Sequence, residues 1–381
     1  MSEIKLSILI PTKDRYEYLI PVVRYFERFS GAYSFELIIE DNSFCNRKWV
    51  EAAADGDFLS ELRYFHTPEP RNIVANCDAA CARASGIYSI MLGDDDFVTL
   101  DIFKSVDFCH GAGLDSACFP LAWFHWADLI ALVPGLPSLS ISKSASQTVK
   151  ELDANEELTK LLQTQRYNLE LIAKVYQGLV KTSVMQRCHQ KYGTSFPGYS
   201  PDIGNAAGIC QDIGKHAYLP MYAVVAGFGG KSAGGLGAQK RHVAKIEDVD
   251  FLPKDLLEAW PKKIPYFWTG GTIWAASVLY VASKIPEDWL TGNFSFSRFY
   301  GYMLSSHPKI FLEWLANKNP NLWFLTCIGC VQIFVDKFRS RHRVKSKMIS
   351  LGVAGPSVHD AALALEDLNQ VLIEATFEDK K

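Results

Sequence analysis

Short apolar runs alternate with longer stretches of helical period over the first quarter of the chain. Residues 6–10 (Leu-Ser-Ile-Leu-Ile) have almost no polar break, as a strand buried on both faces should. A helical pattern follows over 18–29. A second strand is expected over 35–39, and it runs into Glu40-Asp41-Asn42-Ser43. Residues 49–62 read as helix, 62–65 as a short strand, 73–85 as an Ala-rich helix and 88–92 as a further strand. Regular strand–helix alternation predicts an α/β fold with a doubly wound, mostly parallel sheet. Each main strand ends in polar residues. That gathers Thr12, Asp14, Arg15, Asp41 and the carboxylates 94–96 along one sheet edge, where such sheets bind ligands.

Further along, the pattern predicts a helix over 100–108, a strand over 116–124 and a surface loop over 134–146. A charged amphipathic helix is expected over 149–162, a strand over 175–180, a helix over 183–192 and a strand over 218–225. Residues 227–237 hold six glycines and read as a mobile loop. From about residue 246 the pattern becomes helical: 272–281, 296–303, 310–314, 322–335 and 356–375. The expected organisation is one α/β unit over 1–245 and a helical C-terminal region over 246–381.

Composition narrows the classes. The chain has 381 residues, of which 48% are hydrophobic, enough to bury a sizeable core. A net charge of −3 argues against a general nucleic-acid binder. Nine cysteines form no disulfide-like framework and read as reduced thiols. The N-terminus runs straight into a strand, so no signal peptide is expected and the location reads as cytoplasmic. No apolar stretch reaches the ~18 residues of a membrane span. Residues 322–335 nevertheless form an apolar segment followed by a basic run to 347. That pairing suits a peripheral helix on the inner face of an anionic membrane, or a packed helix with a solvated basic end. The apolar stripe of 356–375 suits docking onto the core or homo-oligomer formation.

The chemistry concentrates at Gly93-Asp94-Asp95-Asp96. Three adjacent carboxylates repel one another and need a cation, a basic partner or water. Oxygen ligands suit Mg²⁺ or Mn²⁺, which commonly share coordination with a substrate phosphate. A solvated acidic turn is the plainer alternative. No G-x-G-x-x-G follows the first strand, which argues against a dinucleotide-binding dehydrogenase. Residues 123–126 (Trp-Phe-His-Trp) are aromatic-rich. Sugar rings favour such faces, but ordinary core with a satisfied His125 is the simpler reading.

Ile-Pro-Thr-Lys-Asp-Arg (10–15), Ile-Ile-Glu-Asp-Asn-Ser (38–43), Asn72, Asn76 and the 86–96 segment resemble family 2 glycosyltransferases in order and spacing. These are inverting enzymes of the GT-A fold, and Leu-Gly-Asp-Asp-Asp looks most like their abequosyltransferase-like branch. The resemblance is dense over 4–100 and patchier to about 245. It implies a nucleotide-binding half over 1–100 and an acceptor half with the Gly-rich loop over 101–245. Pro11, Thr12, Asp14, Arg15, Asp41, Asn72 and Asp94 would line the donor nucleotide. Asp95 and Asp96 would hold Mn²⁺ or Mg²⁺, with the register among the three aspartates left open. Asp202, in Ser-Pro-Asp at a helix start, would be the general base. A positioned carboxylate can take the proton of an attacking sugar hydroxyl, although a helix-capping aspartate fits the same geometry. Lys231 and Ser232 would reach the diphosphate, and His242 would complete the metal site. The implied partners are a nucleotide-sugar donor and a glycan or lipid-linked saccharide acceptor of bacterial surface polysaccharide. A nucleotidyltransferase making a nucleotide-sugar, and an inactive glycan-binding scaffold, remain alternatives.

Overall fold

The computed structural model describes residues 3–56, 58–142, 146–165, 168–239, 243–249, 251–285, 289–316, 318–341, 348–351 and 357–378. Along the chain its strands are β1 (Leu6–Thr12), β2 (Phe35–Asp41), β3 (Leu62–His66), β4 (Tyr88–Met91), β5 (Phe97–Val98), β6 (Ser116–Cys118) and β7 (Ala122–His125). They continue with β8 (Leu139–Ser142), β9 (Lys150–Leu152), β10 (Leu179–Lys181), β11 (His216–Tyr218), β12 (Val224–Phe228) and β13 (Met348–Leu351). One sheet has the order β3-β2-β1-β4-β10-β6-β11-β9, and a second has the order β13-β8-β7-β12-β5. The quartet β3-β2-β1-β4 is parallel throughout, with Leu6 opposite Phe35 on one side and Tyr88 on the other. β10 then enters antiparallel between β4 and β6. The α/β class with a parallel-rich sheet and a helical C-terminal region is therefore what the chain builds.

The helices of the first quarter follow from their sequence pattern. Tyr16–Phe26 buries Leu19, Val22, Val23 and Phe26 against the sheet. Arg47–Ala54 and Ile73–Cys81 are shorter than expected. Asn72 caps the second of these, its side chain accepting from Ala75 N at 2.8 Å.

Several expectations needed tertiary correction. The strand expected over 116–124 is two strands in different sheets. Phe119-Pro120-Leu121 carries the chain from β6 to β7, and proline supplies no N–H to continue a ladder. The expected 218–225 strand is likewise split between β11 and β12. The loop expected over 134–146 contains β8, buried along its length between β7 and β13. Residues 149–162 begin as β9. The helix starts only at Ala154, where the Asp153 side chain accepts from Glu156 N. Of 175–180, only the end joins β10.

Three hydrophobic clusters form among the described residues, one of them joining Leu9, Ile38 and Met91 to Val74, Val184, Met185 and Phe196; the other two differ in composition. One lies under the Tyr16–Phe26 helix and continues into both sheets. The other is helical, and joins Leu158, Ile203 and Ala206 to Trp260, Val278, Phe299 and Phe311. The Val358–Glu378 helix returns to the first core, burying Val358, Ala361, Ala362 and Leu365. The N-terminal part of the stripe thus docks onto the chain's own core, while Val371 stays 61% exposed. The Pro320–Arg341 helix differs: Phe324, Val331, Phe334 and Phe338 are 59–71% exposed. No helix among the described residues is long and apolar enough to cross a membrane.

Candidate active site

β1, β2 and β4 end together, and the parallel register sets Thr12 beside Asp41. Beyond β4 the chain turns tightly, Asp96 N donating to Gly93 O at 3.1 Å. A Cβ on Gly93 would sit 3.0 Å from Asp95 Oδ1, 3.2 Å from Asp96 Oδ2 and 3.3 Å from Tyr176 Oη, so the turn is crowded by its own polar groups. Asp94, Asp95 and Asp96 are all buried.

Their oxygens are not equally engaged. Asp94 Oδ2 accepts from Thr12 Oγ1 at 2.6 Å and lies 3.0 Å from Arg15 Nε. Asp94 Oδ1 is buried with no hydrogen-bond partner among the described residues. Asp95 Oδ2 accepts from Gly229 N at 3.0 Å, and its Oδ1 has no hydrogen-bond partner among the described residues. Asp96 is fully engaged: Oδ1 accepts from Gly227 N at 2.7 Å, and Oδ2 accepts from Gly93 N and from Gln177 Nε2. Burial pushes the Asp94 carboxyl up to about 7, with Arg15 opposing and Asp95 adding to the rise. Burial and Asp95 push Asp96 up to about 6. Burial works against the charge on Arg15, but Asp94 and then Asp95 outweigh it and raise that guanidinium. The site therefore holds more negative charge than one arginine offsets.

Among the described residues no group of three or more His, Cys, Asp and Glu is arranged to hold a metal ion. The open oxygens of Asp94 and Asp95 still fit a divalent cation of the kind bound by one or two carboxylates, with water and substrate phosphate completing the shell. Asp96, expected as a ligand, spends both oxygens on the protein. His242 lies outside the described residues.

The nucleotide-lining residues differ in what engages them. Thr12 and Arg15 touch Asp94 directly. Asp14 sits at the strand exit with φ 57°, a left-handed conformation an aspartate tolerates, and its N–H donates to Ser43 Oγ. Pro11 is still part of β1. Asp41 is fully buried; Oδ2 accepts from Tyr16 Oη and Tyr64 Oη, and Oδ1 from Ser43 N. Asn72 is occupied in capping. Glu40, on the far side of β2 from Asp41, is buried and paired with Arg71 and Arg83 at 2.7 Å each.

The glycine segment is structured where a mobile loop was expected. Gly227 N and Gly229 N are turned to Asp96 and Asp95, and Gly230 N donates to Asp128 Oδ2, which also accepts from Tyr18 Oη. Amides that the sequence offered to a phosphate are used here by the protein's own carboxylates. Ser232 caps the Ala233–Ala238 helix, accepting from Gly235 N at 3.1 Å, and Lys231 Nζ pairs with Glu17 at 2.6 Å. His125 is satisfied, with Nδ1 2.6 Å from Pro137 O.

Asp202 opens the Pro201–Ile209 helix, with proline at the first turn. Its Oδ1 accepts from Ser200 Oγ and from Ile203 N, and its Oδ2 has no hydrogen-bond partner among the described residues. Burial raises its carboxyl, against the pull of Ser200, Ile203 and Lys174.

Sequence reasoning missed the connection between Asp202 and the triplet. A strap over 173–177 crosses the end of β4: Met91 N donates to Val175 O, and Gln177 N donates to Met91 O, both at 2.8 Å. Val175 N donates to Asn205 Oδ1 of the Pro201–Ile209 helix. Tyr176 is half-buried and within electrostatic reach of Asp96, Asp95, Arg15 and Asp202, so the strap joins the two acidic groups. Its one sequence signal is Lys-Val-Tyr-Gln-Gly, polar residues interrupting an otherwise apolar run. A Cβ on Gly178 would come 2.5 Å from Lys174 O, so glycine is needed where the strap turns into β10.

No protein-family model matches the chain, and no curated protein matches it. Among solved structures it is similar to residues 1–349 of Staphylococcus aureus TarS in complex with UDP-GlcNAc. Identity there is 14%, coverage is 92% of this chain and 97% of that one, and the TM-score is 0.49. It is also similar to the mannosyltransferase PcManGT of Pyrobaculum calidifontis in complex with GDP-Man and Mn²⁺. There identity is 11%, coverage is 97% and 88%, and the TM-score is 0.47. At these identities and scores, likeness decides neither fold nor activity.

Proposed function

We propose that the protein is a metal-dependent, inverting glycosyltransferase of the GT-A type. It moves a sugar from a nucleotide-diphosphate donor to a hydroxyl of a glycan or lipid-linked acceptor in bacterial surface polysaccharide synthesis. The observation that carries this reading is the buried, unpartnered Oδ1 of Asp94 at the end of a parallel strand, with the open Oδ1 of Asp95 on the next residue. Uncompensated buried carboxylate oxygens are costly unless a ligand uses them.

In this reading Asp94 and Asp95 hold Mn²⁺ or Mg²⁺, which when bound neutralises charge developing on the departing diphosphate. Thr12 and Arg15 fix the orientation of Asp94. Pro11, Asp14, Asp41 and Asn72 shape the nucleotide wall, Asp41 through the hydroxyls of Tyr16 and Tyr64. Lys231 and His242 are the candidate cations at the diphosphate side. The free Oδ2 of Asp202 takes the proton of the acceptor hydroxyl as that oxygen attacks the anomeric carbon. The exposed aromatic face of the Pro320–Arg341 helix and its basic end hold the enzyme at the membrane surface where lipid-linked acceptors reside.

The test is release of nucleotide from UDP-GlcNAc, GDP-Man and related donors by the purified protein with Mn²⁺. Release is expected for at least one donor, and EDTA and Asp94→Asn are expected to abolish it. A panel in which no nucleotide-sugar binds or turns over would falsify the reading.

A further inference from the structure

Lys174 is 7% exposed and makes no hydrogen bond or ion pair among the described residues. A buried ammonium without a partner is among the costlier features a fold can carry. Neither the metal site nor the base role assigned above uses it.

Its surroundings explain how it is retained. Lys174 lines a small, partly open pocket whose wall includes Pro120, Ala122, Glu170, Gln177 and Ala226. Gln177 sits in the left-handed region (φ 57°) and donates to Asp96 Oδ2, so the cavity abuts the acidic triplet. Burial pushes the Lys174 amine down from its ordinary value; Cys118, then the carboxylates of Asp202, Asp96 and Glu170, oppose this through space, yet none pairs with it among the described residues, so an arriving anion is what restores the full charge. Burial raises the Glu170 carboxyl, which weakens it as a counter-charge on the same wall. The strap holds Lys174 rigidly, through Val175 to Asn205 and Met91.

We propose that this cavity is a subsite for an anionic group, a carboxylate or a phosphate, on the acceptor saccharide, and that Lys174 is the residue that binds it. The inference rests on the glycosyltransferase reading for the word acceptor, and on the cavity alone for the anion. Val175, next to Lys174, is bonded to Asn205 of the helix that Asp202 opens, which sets the group on the acceptor side. An unpaired buried ammonium discriminates strongly, because a neutral ligand leaves it unpaired.

The experiment titrates the full-length protein, saturated with UDP and Mn²⁺, with two matched pairs: glucuronate against glucose, and glycerol 1-phosphate against glycerol. At least one anionic probe is expected to bind about tenfold tighter than its neutral counterpart. The pair that shows the larger difference tells carboxylate from phosphate. Lys174→Met, which keeps the aliphatic stem, and Lys174→Gln are both expected to erase the difference while leaving UDP affinity within about twofold. Equal binding of anionic and neutral probes by the parent protein, or a preference that survives in either folded variant, overturns the proposal. If no nucleotide of the donor panel binds but the Lys174-dependent anion preference persists without it, the glycosyltransferase reading falls and the anion subsite stands.

Discussion

Arg15 Nε lies 3.0 Å from Asp94 Oδ2, across the end of the sheet, while the other Asp94 oxygen is left without a partner. One cation thus holds half of a buried carboxylate and leaves the other half for a ligand. Replacing Arg15 with Met removes the offsetting charge and is expected to cost about 3 kcal/mol of stability. Mn²⁺ should raise the melting temperature of Arg15→Met by more than that of the parent, because the metal then supplies the missing positive charge. An equal Mn²⁺ shift in the two proteins would show that the ion does not bind at Asp94.

Asp202→Asn is expected to lower kcat by about 10²- to 10⁴-fold with donor affinity unchanged. Because burial raises the Asp202 carboxyl, the acid limb of the parent's rate profile should lie above the ordinary carboxylate value of about 3.9. Activity rises with pH there, since the base works only when ionised. The linkage to stability has the opposite sign. A raised folded-state value favours the fold at low pH, and that contribution is lost as pH rises through it. Asp202→Asn should therefore melt no lower than the parent at neutral pH, which separates a lost base from a lost fold. A variant that transfers sugar at the parental rate rules out the assignment.

Gly227 is where β12 passes closest to the acidic turn. A Cβ there would fall 1.7 Å from Asp95 O, and its N–H donates to Asp96 Oδ1. Gly227→Ala must move backbone rather than a side chain, and should destabilise by about 1–3 kcal/mol. Mn²⁺ affinity should fall with it, as measured by calorimetry. Parental melting and parental Mn²⁺ binding together would contradict this approach of strand and turn.

Glu366 ties the C-terminal helix to the first. Arg28 meets both its oxygens, at 3.2 and 3.0 Å, and Leu100 N donates to Oε1 at 2.9 Å. Nearby, Asn369 accepts from Tyr222 N and donates to Asp101 Oδ2. Glu366→Ala should cost about 2–3 kcal/mol in urea unfolding. No measurable change would show that this helix contributes nothing to the core it covers.

The exposed face of the Pro320–Arg341 helix carries Phe324, Val331, Phe334 and Phe338 at spacings of seven, three and four residues, which keep to one helix face. Binding to phosphatidylglycerol vesicles is expected, with far weaker binding to phosphatidylcholine. Phe334→Asp with Phe338→Asp removes at least about 1.5 kcal/mol of apolar burial and should lower vesicle partitioning about tenfold or more. Undiminished flotation of the double variant would place the contact elsewhere.

The resemblance over 4–100 and the local pattern led to the same edge. Strand ends rich in polar residues put Thr12, Arg15, Asp41 and Asp94–Asp96 near one another before any coordinates, because parallel strands of similar length end together. Pro201 and Asp202 at a helix start were also legible, since that preference is local. The local pattern leaves Asp96 and Ser232 free for ligand, and the fold engages them with backbone amides and a helix cap.

What the sequence by itself determined is the period: which runs are strands or helices, and that carboxylates crowd the end of β4. Tertiary structure alone decided which carboxylate oxygen stays open, because that depends on amides of Gly227 and Gly229 arriving from a distant strand. It also decided that β8 pairs with β13 and that Lys174 is buried with no partner among the described residues. Neither follows from a local rule. Pairing between remote segments, and the burial of one charge among others, depend on where the whole chain folds back, and no window of neighbouring residues contains that information.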